Sequence, residues 1–327
     1  MAAVRIQVTA VIVTAFEPDS GPVPGELRFW REREHLTETL AFPAGYRPLS
    51  FNPESGILAI VTGVGAARAA ASIMALGLDP RFDLTQAWFL IAGVAGVSPA
   101  RASLASIILP EYVIDGDLNH AIDAREIPAA WPDGYIPIGK STPYEQPLEA
   151  RFNGDDGIVF RLHAPLIEWA YALTRNATLQ DTLAMATRRA QFEPAATAHN
   201  PPSVLRGDEL STSTFWHGAL LSQRATRWVN YQTNGVADYA VTAMEDTGIL
   251  QSLLFLAQAS LVNLQRVLIL RGASNFDQQR PGITAAESLA ETKVVTYSAY
   301  LPTLENLHRV GHRILHALLA AWPQSPV

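Results

Sequence analysis

Apolar residues along this chain gather into short runs that end in small-residue turns, several of which open helical stretches. Arg5–Thr14 is rich in Val and Ile and reads as a buried strand that ends before Glu17-Pro18. Pro, Gly and charged residues then alternate to about Glu34, which predicts an active-site loop and a short helix. Gly56–Val61 reads as a second strand, running through Thr62-Gly63-Val64-Gly65 into the alanine-rich helix Ala66–Leu76. Strand, glycine turn and helix in that order begin a parallel α/β unit. Trp88–Ile91 is a third strand, ending in a predicted tight turn Ala92-Gly93-Val94-Ala95-Gly96. Ser106–Ile114 is a fourth, with Pro110 as a break.

The stretch Asp115–Pro147 is polar and rich in Pro, Gly and aromatics, too long for a mere connection, and reads as a functional loop region. Leu162–Ala177 and Asp181–Gln191 read as helices, Glu193–Leu205 as a loop leading to a strand, and Leu220–Tyr231 as weakly amphipathic. Ala240–Ala259, with Met244-Glu245-Asp246 at its start, reads as a long apolar helix. Arg266–Arg271 reads as a buried strand followed by a turn at Gly272-Ala273-Ser274-Asn275, and Leu304–Ala321 as a closing helix. There is no internal repeat, low-complexity tract or linker, so the expected organisation is one α/β domain over residues 1–327.

Composition narrows the function. With Lys+Arg 24 against Asp+Glu 31 the formal charge is −7, which argues against a nucleic-acid or anionic-membrane partner. The charged fraction of 17% is below the roughly 25% of ordinary soluble domains, which points to surface that is packed or sits in a subunit interface. The absence of cysteine excludes disulfides, thiolate metal sites and a cysteine nucleophile. The longest mostly apolar run, Ala87–Val97, is shorter than the roughly 20 residues a bilayer-spanning helix needs. The N-terminal run has no long apolar region and no small-residue cleavage site. The expected compartment is therefore the cytoplasm, or the periplasm or exterior if a leader has been removed.

Candidate chemistry sits at strand ends, where ligands of open α/β sheets bind. Glu17, the Gly93–Gly96 turn and Asn275 each follow an apolar run. A carboxylate at Glu17 in a half-apolar cleft would gain basicity and serve as an acid or base; otherwise it is a solvated loop residue. Met244-Glu245-Asp246 either complements a helix N-terminus or presents a carboxylate to a sugar diol, with Met244 flat against the sugar. Arg271–Asp277 is either a capped turn or a segment that sets an amide or carboxylate against a heteroaromatic base. Trp216-His217 and Asn119-His120 supply aromatic and imidazole candidates, although a His among aromatics is more often structural. Gly63-Val64-Gly65 lacks the third glycine of a dinucleotide fingerprint and no P-loop is present, so no cofactor is expected. Asp115, Asp117 and Asp123 lack the further spaced acids of a calcium loop, and no metal is expected.

Taken in order, Val13–Pro18, Thr62–Ala70, Ile91–Gly96, Arg206-Gly207-Asp208, Phe215–Gly218, Ala243–Gly248 and Arg271–Phe276 make the chain resemble the purine nucleoside permease family. That family is similar to a branch of the nucleoside phosphorylase/nucleosidase superfamily. The resemblance implies an α/β fold around a mixed, partly barrel-like central sheet flanked by helices, a purine nucleoside substrate, and a homodimer or higher homo-oligomer. It assigns water activation to Glu17, the ribose to Met244 and Glu245, and the purine edge to Asn275, where relatives carry an Asp. Gly207-Asp208 matches a Gly-Asp near the base-binding segment, Asp277 or Asp208 is the nearby candidate if a proton must be supplied, and Gly93, Val94, Asp208, Trp216, His217, Asn119 and His120 are candidate substrate contacts. Val94 stands where relatives have a Ser, and the Gly93–Gly96 segment offers no cation for phosphate, although Arg68 or Arg28 could reach in from elsewhere. The expected activity is hydrolysis of purine ribonucleosides. A phosphorylase and a non-catalytic nucleoside-binding protein are the alternatives.

Overall fold

A computed structural model describes residues 5–18, 23–146, 148–154, 156–192, 196–295 and 297–320. The architecture is mixed α/β, with a twelve-stranded mixed sheet and helices packed against it. The ten-residue strand Trp88–Val97 organises that sheet. Trp88–Ile91 pair in parallel with Ala10–Val13 of the strand Ala10–Thr14, which pairs onward with Ile57–Val61. On the opposite edge the strand runs parallel to Val267–Phe276 over its length. At its far end Gly96 and Val97 pair antiparallel with Thr242 and Val241 of Tyr239–Ala243, on the edge that Ala10–Thr14 occupies lower down. Residues 92–95 therefore have no strand partner on that edge. The sheet splits there, and the split exposes backbone groups that must find side-chain partners.

Beyond the split, Tyr239–Ala243 pairs in parallel with Asp208–Ser211, which pairs with Tyr112–Asp115. The strand Ile107–Leu109 joins Val267–Phe276 antiparallel at Arg271 and Gly272. Val and Ile dominate these strands because branched side chains pack well on a pleated surface; the main apolar core joins most of the strands to the helices Ala66–Gly77, Asp246–Gln258 and Tyr297–Ala320, and two smaller clusters lie around Val97, Val241 and Phe276 and around Ile114, Leu210 and Trp228. No helix among the described residues is long and apolar enough to cross a membrane.

Several expected boundaries move. Ala92–Gly96 is not a turn but the middle of Trp88–Val97. Gly272–Asn275 likewise continues the strand to Phe276, with a register shift between Ala273 and Asn275 in place of a turn. Ala240–Ala243 belongs to a strand, and the helix begins only at Asp246. Pro110 does break the fourth run, into Ile107–Leu109 and Tyr112–Asp115. Within the polar stretch after Asp115, a short hairpin pairs Asn119–Ala121 with Tyr135–Pro137. Residues 19–22 of the loop expected after the first strand, 147, 193–195 and 321 lie outside the described residues.

Candidate active site

A cavity of about 320 Å³ opens at the split in the sheet. Its walls come from the ends of four strands: Ala15 and Phe16, Val94–Gly96, Thr242–Glu245, and Ser274 with Asn275. Val64, Val23, Glu26, Phe215 and Tyr300 complete the lining. It is mostly apolar with a few convergent polar groups, the usual character of a small-molecule site.

The carboxylate of Glu26 closes the split. Its Oε2 accepts from the backbone N–H of Ala15 at 2.8 Å and of Phe16 at 3.0 Å, and Oε1 accepts from the N–H of Val94 at 2.7 Å. These are donors that strand pairing leaves free. Burial pushes Glu26 above the usual carboxylate range, against the pull of the Arg271 charge and the three N–H donors. Gly93 makes this arrangement possible: a Cβ there would overlap the Arg271 guanidinium and stand 3.1 Å from Glu26 Oε1.

Glu245 lies at the junction between the strand Tyr239–Ala243 and the helix Asp246–Gln258. Its Oε1 accepts from Gly65 N–H at 3.2 Å, and its Oε2 from Arg271 at 3.3 Å. Gly65 has φ +94°, a conformation that suits glycine and that lets the turn after Ile57–Val61 aim its amide at this carboxylate. Burial pushes Glu245 up to about 7, opposed by Arg271 and reinforced by the negative charges of Glu26 and Asp246.

Arg271 holds the floor of the site. It is 1% exposed, donates from Nε to Asp246 Oδ2 at 2.9 Å, bonds Asp246 Oδ1 and Glu245 Oε2 through Nη2, and lies 3.9 Å from Glu209. Burial works against its charge, but Asp246, Glu209 and Glu245 outweigh that and hold the guanidinium well above its ordinary value. Glu209 is fully buried, and neither of its oxygens has a hydrogen-bond partner. Burial and the neighbouring Asp246 charge push it well above the usual carboxylate range, against the pull of Arg271.

Of the residues expected from sequence, Met244, Glu245, Val94 and Asn275 share this cavity. Asn275 donates to Phe276 O at 3.0 Å and accepts from Ser274 Oγ at 3.1 Å, which leaves one amide N–H and one carbonyl lone pair for a ligand. Gly93 stands behind the wall, as the point of close approach. Glu17 does not line the cavity. Its Oε2 lies 3.4 Å from Leu27 N, at the start of the helix Arg28–Arg33, and the carboxylate that reaches the cavity from this segment is Glu26.

Asp277 lies just past the cavity wall, 1% exposed, accepting from Ser222 at 2.8 Å and Tyr239 at 2.7 Å. Burial raises it to about 7. Asp208 is elsewhere. It accepts three backbone N–H bonds, from Glu111, Tyr112 and Asp238, and lines a separate cavity of about 260 Å³. The aromatic on the cavity is Phe215; its neighbour Trp216 packs on Tyr239 with ring centroids 6.5 Å apart. His217 pairs with Ser288 at 3.0 Å, and burial lowers its pKa. Asn119 and His120 belong to the hairpin strand, where Asn119 bonds Gly116 O and His120 is exposed. Neither Arg68, which sits over the Tyr46 ring, nor Arg28, which pairs with Glu32, lines the cavity. Glu26 is legible in sequence only as the last acid before the predicted short helix; Arg271 opens a segment that reads for its amide and carboxylate and not for its guanidinium, and Glu209, embedded in an apolar strand, carries no motif that marks it.

Solved structures share this architecture. A 5′-methylthioadenosine/S-adenosylhomocysteine nucleosidase from S. pneumoniae superposes with TM-score 0.54 at 12% identity, covering 95% of this chain and 99% of that one. A futalosine hydrolase of Helicobacter pylori gives 0.52 at 12% identity, over 94% and 98%. The fold is that of the nucleoside phosphorylases and nucleosidases. Within that class, the family model described as purine nucleoside permease (NUP) matches residues 7–325, and the chain belongs to that family. A Schizosaccharomyces pombe protein named a probable purine nucleoside permease is 30% identical over 284 residues, 85% of this chain and 80% of that protein. A Candida albicans purine nucleoside permease is 31% identical over 270 residues, 81% of this chain but 64% of its own length.

Proposed function

We propose that the protein binds purine nucleosides in this cavity and cleaves their N-glycosidic bond with water. The observation that carries the reading is two buried carboxylates, Glu26 and Glu245, on one cavity with the amide of Asn275. Glu245 accepts the ribose hydroxyls, and Met244 packs on the sugar. Glu26 orients a water and takes its proton, a role its raised pKa suits. Asn275 offers its free N–H to the purine edge, where negative charge develops as the bond breaks. An amide has no proton to give, so the departing base is stabilised by hydrogen bonding at Asn275 and takes its proton from solvent or from the Asp277 region.

Water is favoured over phosphate by the charge of the site. A phosphate dianion needs cationic partners, and among the described residues no Arg, Lys or His lines the cavity. Arg271 stands behind it, committed to Asp246 and Glu245. The family's name supports a purine nucleoside as the ligand. Phe215 on the rim is 56% exposed and Leu220 is 78% exposed, so a second copy of the chain is proposed to cover this edge, which light scattering of the purified protein tests.

The deciding experiment incubates the protein with inosine, adenosine or guanosine, with and without phosphate, and follows free base and sugar. Free ribose without phosphate supports the proposal. Strict phosphate dependence replaces it with phosphorolysis, and tight binding without turnover replaces it with a nucleoside-binding role in uptake.

A further inference from the structure

Outside the cavity, three imidazoles converge on one buried carboxylate. His308, His312 and His316 recur every fourth residue on the helix Tyr297–Ala320, so they share a face. Glu34, just past the helix Arg28–Arg33, points at them. Its Oε1 lies 2.9 Å from His308 Nε2 and 2.8 Å from His312 Nδ1, and its Oε2 lies 2.8 Å from His316 Nε2. The ligand atoms of Glu34, His308 and His312 all fall within 4.8 Å of one another. We propose that Glu34, His308, His312 and His316 bind a divalent transition-metal ion of the zinc type.

Three features carry the assignment. Ligand atoms around a tetrahedral zinc stand about 3.3 Å apart, so small side-chain adjustments let an ion replace the hydrogen bonds of Glu34 with His308 and His312, and His316, which meets the other carboxylate oxygen, turns in to complete the shell. The donor set is three nitrogens and one carboxylate, which suits zinc, cobalt or nickel and not the oxygen-seeking calcium or magnesium. The site also has a closed and an open side: Glu34 and His308 are 2% and 6% exposed at their side chains, whereas His312 and His316 are 47% and 52% exposed and leave a path for entry. Arg33 approaches His308 Nδ1 at 3.4 Å, but Glu305 already holds it through two bonds at 2.6 and 2.9 Å. With metal on Nε2, His308 carries its proton on Nδ1 and Arg33 remains on Glu305.

The ion would clamp the segment that carries Glu26 to the helix that carries Tyr300. That helix already grips the same segment two turns earlier, where Tyr300 donates to Pro24 O at 2.9 Å. The inference does not depend on the chemistry proposed for the cavity.

The test uses tag-free, chelator-treated full-length protein. Calorimetric titration with Zn²⁺ and elemental analysis after desalting are expected to give one ion per chain and a higher melting temperature. Cobalt substitution is expected to give the visible absorption of a four-coordinate site. His312→Ala/His316→Ala removes only half-exposed side chains, so it folds, as circular dichroism checks, and loses the stoichiometric ion and the thermal shift. Absence of stoichiometric zinc in the wild-type protein, or its retention in the double variant, overturns the assignment.

Discussion

Glu26→Gln is the sharpest perturbation of the proposed chemistry, because it keeps the shape of the side chain and removes its charge. The carboxylate accepts three backbone N–H bonds, at 2.7, 2.8 and 3.0 Å. A glutamine has only one acceptor atom, so its amide nitrogen must face at least one of those N–H groups and leave it unsatisfied. Hydrogen bonds to a charged partner contribute about 1.5–3 kcal/mol and an orphaned buried donor costs about 1–3 kcal/mol. Wild-type Glu26 in turn bears the cost of its own burial, as its raised pKa records. The net loss of stability is expected to be about 2–4 kcal/mol. The rate is expected to fall further than stability explains, by about 10²–10⁴-fold, the usual worth of a positioned base. The assay is chromatographic release of purine at saturating nucleoside, well below the variant's melting temperature, with Glu17→Gln alongside. Glu17 lies against Gly25 and the start of the neighbouring helix and does not line the cavity, so its variant is expected to keep nearly the wild-type rate. If Glu26→Gln stays within about threefold of wild type, or Glu17→Gln is the more impaired, Glu26 is not the group that activates water.

Three further outcomes follow from the same geometry. Arg271→Met leaves Asp246 and Glu245 buried without their counter-charge, and denaturant titration is expected to show a loss of about 3–5 kcal/mol or failure to fold. Gly93→Ala drives a methyl into the Arg271 guanidinium beside Glu26, and is expected to cost about 1–3 kcal/mol and lower the hydrolytic rate; a variant with unchanged melting and rate would show that the close approach is not needed. Asp277 keeps its proton in the folded protein to about pH 7, whereas the unfolded chain loses it near the ordinary 3.8. The folded state therefore binds more protons between those values, and this contribution, about 4 kcal/mol in full, is lost as pH rises through about 7. Asp277→Asn is expected to flatten that decline, and parallel stability–pH curves for variant and wild type would refute it.

The strand–turn–helix units and the mixed α/β class were legible because branched apolar runs and glycine turns report local preference directly. Met244, Glu245 and Asn275 were legible because they sit beside such runs. What escaped were residues whose position is set by tertiary contact. Ala92–Gly96 reads as a turn because glycine and alanine are poor strand formers; it is strand because its neighbours need small residues beside Arg271 and Glu26. Glu17 follows its strand directly and so attracts the reading of a strand-end base. The carboxylate that returns to the strand end stands eleven positions from Ala15, on a loop whose path no local pattern encodes. Arg271 and Glu209 lie inside apolar strands, where a charge reads as an interruption until its partners are known.

The split in the sheet and the charge of the site are one arrangement. A strand that changes neighbours between Ile91 and Gly96 leaves the Val94 N–H unpaired, and the end of the parallel strand Ala10–Thr14 beside it adds the free amides of Ala15 and Phe16. Such groups attract a carboxylate, and Glu26 supplies it. Placing a second carboxylate, Glu245, on the same cavity would be prohibitive without Arg271, and Arg271 is tolerable in turn because Asp246 and Glu245 meet it. The result is a pocket wall with negative charge facing inward and its one cation buried behind. A transition state that builds positive charge on a pentose is stabilised by that wall, whereas an incoming dianion is repelled by it. The proposed preference for water over phosphate therefore rests on where Arg271 points, and on the absence of any cation among the described residues that line the cavity.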